Sequence, residues 1–279
     1  MMLDIILDGV IDTIKLFPYL LVVFIILEFL EKKLDKKNEK ILKKNQKFGP
    51  IIGGILGGFP QCGFGTMAAS LFSNHVITMG TVISIFLATS DEMAVIMFSK
   101  NVDLFLILKI IGFKVLVGIL VGFIVDIFYR KRNHTISIHE ECDHEHCECE
   151  KDGIFLAGLK HALKIGIFIL IMNLLLNGIL SFVGEESIQK LLTNKNLFTY
   201  FLSSIIGLIP NCFSSILLTE LYLSQFISLG VLLSGLLTGS GVGILVLFRT
   251  NKNIKENISI VSIIYLIGVF IGILVDIII

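Results

Sequence analysis

Long apolar runs follow one another along the chain, and short polar stretches separate them. In the first half the apolar runs cover residues 9–30, 49–73, 76–99 and 104–129. A run of roughly 20 residues is long enough for a helix to cross a bilayer core of about 30 Å. The pattern therefore predicts an all-α polytopic membrane protein.

The run 49–73 contains residues that a plain bilayer helix avoids. Its middle reads GGFPQCGFG, at residues 57–65. Proline inside a helix removes one backbone hydrogen bond and clashes with the preceding turn. Within a bilayer the freed backbone groups must find partners or line a cavity. This run is therefore predicted to be a broken or re-entrant helix.

The second half of the chain repeats the first. GLIPNC at 207–212 matches GGFPQC at 57–62, and further identities continue at the same offset of 150 residues. Internal repeats are typical of transporter folds. We divide the chain into a first membrane repeat (1–132), a polar loop (133–152) and a second membrane repeat (153–279).

Basic residues predict the orientation of the two repeats, because cytoplasmic loops are rich in Lys and Arg. The stretches 31–47, 130–132 and 248–257 are basic and are expected inside, whereas 184–196 is mixed and 99–103 is nearly neutral. Corresponding loops thus fall on opposite faces, which predicts two inverted repeats of about five segments each. Three crossings with a re-entrant hairpin, or five crossings, both fit each repeat.

Composition excludes several other classes of protein. Hydrophobic residues make up 54% of the chain and charged residues 16%, against about 25% in soluble domains. The apolar runs leave no room for a soluble domain, and the net charge of zero suggests no nucleic-acid partner. The chain has no H-E-x-x-H pair of a metalloprotease and no nucleotide-binding motif. We therefore expect that the protein is not an enzyme. Because a nucleotide-binding motif is missing, we expect that an ion gradient drives transport.

The paired P-x-C stretches are the first candidate site, because paired broken segments mark substrate sites in transporters. The amides offer carbonyl oxygens, and the cysteines offer soft sulfur suited to thiophilic metals. The alternative is that the cysteines only pack and the prolines only kink their helices. The candidate residues are Pro60, Gln61, Cys62, Pro210, Asn211 and Cys212.

Asp91 and Glu92, in the stretch TSDE, are the second candidate site. A charged residue at the bilayer centre costs at least about 2.5–3.5 kcal/mol, so it usually faces a cavity. Carboxylates suit a divalent cation or a proton. Alternatively, Ser90 caps a new helix whose first turn contains the acids, and both interpretations can hold. Hydroxyls for this site would come from Thr89, Ser90, Thr238 and Ser240.

Weaker candidates lie elsewhere in the apolar runs. Asp12 and His161 occupy matched positions and either relay protons or lie solvated at the interface. Lys109 and Lys114 either extend to the membrane surface or pair with an acid. Two further acids near helix ends, Asp126 and Asp276, are expected at the interface, and glycines four residues apart in the same segments predict close helix packing.

The polar loop contains the stretch HEECDHEHCECE, at residues 139–150. Thiolates and imidazoles at this density bind zinc, copper or similar metals, and their spacing indicates a flexible chelating tract. An acidic linker is the alternative. The charge pattern places the loop in the cytoplasm, where thiols stay reduced. The candidate ligands are His139, Cys142, His144, His146, Cys147 and Cys149.

Taken together, residues 57–93 and 207–249 resemble the ten-transmembrane heavy-metal exporter family, whose members are described as arsenic efflux proteins or manganese transporters. The P-x-C element is also similar to that of permeases for organoarsenicals. The resemblance implies metal export across the cell membrane, with about five segments in each half.

The sequence thus predicts a multi-pass cell-membrane transporter that exports a heavy-metal species by alternating access. Because of the acids we favour a divalent cation such as manganese. Efflux of arsenite or organoarsenicals is the alternative, and a membrane metal sensor is an alternative of another class. The expected partners are the metal or metalloid ion and the bilayer, with a homodimer as a further option. No cofactor is expected besides the transported ion.

Overall fold

The computed structural model describes residues 48–59, 63–89, 91–129 and 196–278, with isolated positions before residue 26 and between residues 159 and 192. The side chains of Asp91, Glu92, Cys212 and Phe213 are not part of this description. Regular structure within the described residues is helical throughout.

Ten helices lie in the described part of the chain, five in each half. Those of the first half are α1 (Gly49–Gly57), α2 (Gly63–Ser73), α3 (Met79–Ala88), α4 (Asp91–Ser99) and α5 (Leu104–Tyr129). Those of the second half are α6 (Phe198–Gly207), α7 (Cys212–Leu223), α8 (Leu229–Thr238), α9 (Gly243–Thr250) and α10 (Ile254–Ile278). Each helix has a counterpart about 150 residues away, close to the offset at which the sequence motifs recur.

Four stretches of the described residues are long and apolar enough to cross a membrane: Met79–Ser99, Leu104–Tyr129, Leu229–Thr250 and Ile254–Ile278. The first and third consist of two short helices each, α3 with α4 and α8 with α9. The other two are the uninterrupted helices α5 and α10. Helices α1 and α6 have 9 and 10 residues, a length of roughly 15 Å, which is half the bilayer core.

The broken stretches lie at the centre of the fold and the long helices at its outside. All ten residues of α3 are buried, and so are nine of the ten in α8. In contrast, only 33% of the most apolar window of α5, and of α10, is buried. Their outward faces carry large apolar side chains such as Leu116, Leu120 and Phe270. This arrangement suits a protein whose outer surface contacts lipid.

Two aspartates join the outer helices to the central ones. Asp126 Oδ1 accepts a hydrogen bond from the backbone N–H of Gly80 at 2.8 Å, and Oδ2 accepts one from the N-cap threonine of α3. Asp276 accepts the equivalent bond from Gly230 at 2.8 Å and one from the N-cap serine of α8. A carboxylate at a helix N-terminus is stabilised by the helix dipole. These acids, expected at the interface, therefore also fix α5 on α3 and α10 on α8.

The two halves interlock through their short helices. Helix α2 packs against α9 of the other half, and α7 packs against α4. At the first crossing the backbones of Gly65 and Gly243 approach closely: a Cβ on Gly243 would lie 2.8 Å from the carbonyl carbon of Gly65. At the second crossing Lys100 forms an exposed ion pair with Glu220 at 3.5 Å. The buried apolar side chains form two clusters, the hydrophobic cores, and each cluster contains residues of both halves.

Replacement of Gly122 by alanine tests the contact between α5 and α3. The new Cβ would lie 2.6 Å from the carbonyl oxygen of Gly80. We expect Gly122→Ala to lower the free energy of unfolding by about 1–3 kcal/mol, because the helices must move apart. Thermal unfolding of the purified protein in detergent measures the change.

Gly112→Ala is the matched control on the same helix, because no atom of the described residues lies within 4 Å of its added Cβ. That variant should be as stable as wild type or more stable by up to about 1 kcal/mol, owing to helix propensity. Equal unfolding temperatures for the two variants would contradict the close packing of α5 on α3.

Candidate functional site

The central span of the first half is interrupted directly before its two acids. Helix α3 ends at Ala88, and the buried Thr89 caps it: its backbone N–H and its Oγ1 both donate to the carbonyl oxygen of Ile85, at 2.9 and 2.7 Å. Helix α4 then begins at Asp91. Asp91 and Glu92 thus occupy the first turn of a new helix that starts inside an apolar span, as one of the two sequence interpretations expected.

A buried lysine reaches this break from α5. The side chain of Lys114 is 1% exposed, and its Nζ donates a hydrogen bond to the carbonyl oxygen of Thr89. Lys109, five residues earlier on the same helix, is exposed. Of the two alternatives considered for these lysines, extension to the membrane surface does not apply to Lys114. The sequence already contained a signal for this residue: Lys114 lies in the middle of an apolar run, and its counterpart in the second half is the apolar Ile264.

The central span of the second half is interrupted at the matching point. Helix α8 ends at Thr238, whose Oγ1 donates to the carbonyl oxygens of Ser204 and Gly235 at 2.9 and 2.8 Å. Gly241 has a φ of 53°, a left-handed conformation that glycine adopts without strain. The hydroxyl of Ser240 is buried and has no hydrogen-bond partner among the described residues. This break therefore contains a polar oxygen whose bonding capacity the described contacts leave unused.

The second P-x-C stretch lies at a further helix break. Helix α6 ends at Gly207, and α7 begins at Cys212, with Pro210 and Asn211 in the turn between them. Asn211 is 6% exposed, and its backbone carbonyl oxygen accepts a hydrogen bond from Ser214 Oγ at 2.9 Å. In the first half α1 ends at Gly57 and α2 begins at Gly63, and the first P-x-C stretch, residues 60–62, lies outside the described residues.

The structure brings several of these breaks together. The carbonyl oxygen of Ser240 lies 3.1 Å from the position of a Cβ on Gly65, near the start of α2. The hydroxyl of Ser215, near the start of α7, lies 3.6 Å from the corresponding position on Gly239. The break between α8 and α9 is thus next to both helices that follow the P-x-C stretches. These helices come from different halves, so this region lies at the interface between the halves.

The remaining predicted site residues lie outside the described residues. They are Asp12, Pro60, Gln61, Cys62, Ser90 and His161, together with all six candidate ligands of the polar loop, His139, Cys142, His144, His146, Cys147 and Cys149. For Asp91, Glu92 and Cys212 the structure gives the position in the helix but not the side chain. Their proposed roles stay predictions.

Four apolar stretches long enough to cross a membrane, two of them broken at matched positions, define a membrane protein. The chain belongs to the family described as "Putative, 10TM heavy-metal exporter", whose model matches residues 2–185, more than half of its length. This match confirms the resemblance and includes the first P-x-C stretch and both acids. No curated protein and no solved structure matches the chain.

Proposed function

We propose that the protein exports a divalent metal cation, such as Mn²⁺, through a site built at its helix breaks. The observation that carries the proposal is the interruption of the buried span Met79–Ser99 directly before Asp91 and Glu92. Carboxylates inside an apolar span are costly and are retained where they do work. Their hard oxygens suit a divalent cation. The family description supports a heavy metal as the transported species.

The breaks of the second half would complete this site with neutral ligands. Ser240, whose hydroxyl has no partner among the described residues, and the buried Asn211 offer oxygens. Thr89 and Thr238 offer hydroxyls whose hydrogens already bond to helix carbonyls. The two P-x-C stretches would shape the site, with Cys62 and Cys212 as soft ligands or as small packing residues. Gln61 and Asn211 would add amide oxygens. Pro60 and Pro210 would keep the helices interrupted at these positions.

Transport would follow alternating access between two inverted repeats, driven by an ion gradient. The reciprocal contacts support this mechanism, because α2 packs against α9 of the other half and its counterpart α7 packs against α4. In transporters built from inverted repeats, the substrate site lies between the repeats, and one moves against the other. Asp12 and His161, at matched positions in the two halves, would relay the counter-ion if it is a proton.

The polar loop would capture the metal on the cytoplasmic side. In this proposal the chain crosses the cell membrane several times, and the charge pattern places the loop inside. If the protein were instead a metal sensor, the loop would carry the whole function. Deletion of residues 134–150 should leave measurable metal export in a transporter. Complete loss of the metal phenotype, with normal amounts of protein in the membrane, would favour the sensor.

Paired substitutions separate the divalent cation from arsenite or organoarsenicals. Cells that express Asp91→Asn/Glu92→Gln should accumulate manganese at the level of cells without the protein, because the site has lost both carboxylates. Elemental analysis of manganese-loaded cells measures this accumulation. Normal manganese export by this variant would end the cation proposal.

The matched pair of substitutions is Cys62→Ser/Cys212→Ser, assayed in the same cells with manganese and with arsenite. If the cation proposal holds, this variant keeps at least part of its manganese export. Loss of arsenite tolerance in the cysteine variant, with intact manganese handling in the acid variant, would instead support thiophile efflux through the two cysteines.

Ser240→Ala tests whether the Ser240 hydroxyl, which has no partner in the described part of the chain, serves transport separately from stability. A buried hydroxyl without a partner costs about 1–3 kcal/mol, so its removal should leave the unfolding temperature equal or higher. Manganese export should nevertheless decrease, because the transported ion loses an oxygen ligand. Ser70→Ala is the matched control: Ser70 is also buried without a described partner but lies within α2, away from the helix breaks. Equal export by the two variants would exclude Ser240 from the site.

A further inference from the structure

We propose that Lys114 is the third charged member of the substrate site in the first half and sets its net charge. This inference rests on the proposed function, because it assigns a role within the same site. The ammonium group would reduce the formal charge of the break from that of two carboxylates to a single negative charge. Lys114 would thereby offset the repulsion between the two carboxylates when no metal is bound, and it would limit how tightly a divalent cation binds.

The position of Lys114 excludes the usual explanation for a lysine in a membrane helix. Such lysines normally extend their chain so that the amine reaches the membrane surface. Lys114 lies near the middle of the 26-residue helix α5, is 1% exposed, and bonds to the carbonyl oxygen of Thr89. A buried charge is retained only where it is paired or hydrogen-bonded.

The hydrogen bond places the amine at the backbone carbonyl of Thr89, two residues before the start of α4 at Asp91. Consecutive Cα atoms are about 3.8 Å apart, so the Cα of Asp91 lies within about 7.6 Å of the Cα of Thr89. The C-terminal end of α3 carries partial negative charge, which favours a cation there. The N-terminal end of α4 carries partial positive charge, which favours the acids. The interruption of the helix thus provides a favourable place for each of the three charges.

The second half supplies an internal comparison, because its counterparts of all three residues are uncharged. The counterpart of Lys114 is Ile264, which is fully buried, so an apolar side chain fills that position equally well. The counterparts of Asp91 and Glu92 are Gly241 and Val242. The three charges occur together in one half and are absent together from the other, as expected if they act as one unit.

A thermodynamic cycle on purified full-length protein tests this unit. The variants are Lys114→Met, Asp91→Asn/Glu92→Gln, and the combination of all three, with Lys109→Met as the control on the exposed lysine of the same helix. Lys114→Met should lower the unfolding temperature, because two acids lose their cation, and the triple variant should recover most of that loss. Lys114→Arg should remain close to wild type in stability, and Lys109→Met should be unchanged.

Three results would overturn the inference. The first is a Lys114→Met variant as stable as Lys109→Met. The second is a triple variant whose loss of stability equals the sum of its parts. The third is that Lys114→Met and the triple variant both fail to fold while Lys114→Arg folds. The last pattern would reduce Lys114 to a structural donor for Thr89.

Titration of the same proteins with MnCl₂ measures the affinity for Mn²⁺, which would not change if Lys114 had only a structural role. Where Lys114→Met folds, it should bind Mn²⁺ at least about tenfold more tightly than Lys114→Arg, because a positive charge near the cation is removed. Equal affinities would overturn the role of Lys114 in limiting the affinity for the divalent cation. Absence of Mn²⁺ binding to wild type would end the proposed function, whereas the stability cycle would still decide whether the three charges are coupled.

Discussion

Every interruption of a helix inside a bilayer exposes backbone groups that lipid cannot satisfy, and this constraint organises the described part of the protein. The two central helices, α3 and α8, end within buried spans. In the first half Thr89 bonds back to Ile85, and Lys114 bonds to the freed carbonyl of Thr89. In the second half Thr238 bonds to carbonyls of α6 and α8. The helix breaks are therefore stabilised features of the fold.

The two halves share their helix arrangement but differ in the residues at their central helix breaks. At the first break a buried lysine bonds to a backbone carbonyl and two acids begin the next helix, whereas the second break has hydroxyls and the left-handed Gly241. The frame itself remains closely matched, as shown by Asp126 and Asp276, which accept equivalent hydrogen bonds of 2.8 Å from glycines 150 residues apart. The chemistry of the two halves has thus diverged at the breaks while their packing has stayed the same.

Hydrophobic runs predicted the helices, because such runs are local signals. The interruption before Asp91 was one of two interpretations of the stretch TSDE, and the structure has a helix start there. The close packing predicted from the glycine spacing of α5 is confirmed by the approach of Gly122 to α3. The direction of Lys114 could not be predicted, since a lysine stem can reach either the surface or a buried partner. The crossing of Gly65 and Gly243 leaves no periodic signal either, because it joins residues far apart in the chain.

The interlocked cores limit how the proposed transport cycle can proceed. Residues of both halves form each hydrophobic core, so neither half moves without repacking α2 against α9 or α4 against α7. Small residues at a helix crossing allow close approach with few interdigitated side chains. The crossing at Gly65 and Gly243 is of this kind, whereas the crossing of α4 and α7 contains the buried Met93 and Met97. Sliding is therefore easier at the glycine crossing, which also borders the break that contains Ser240.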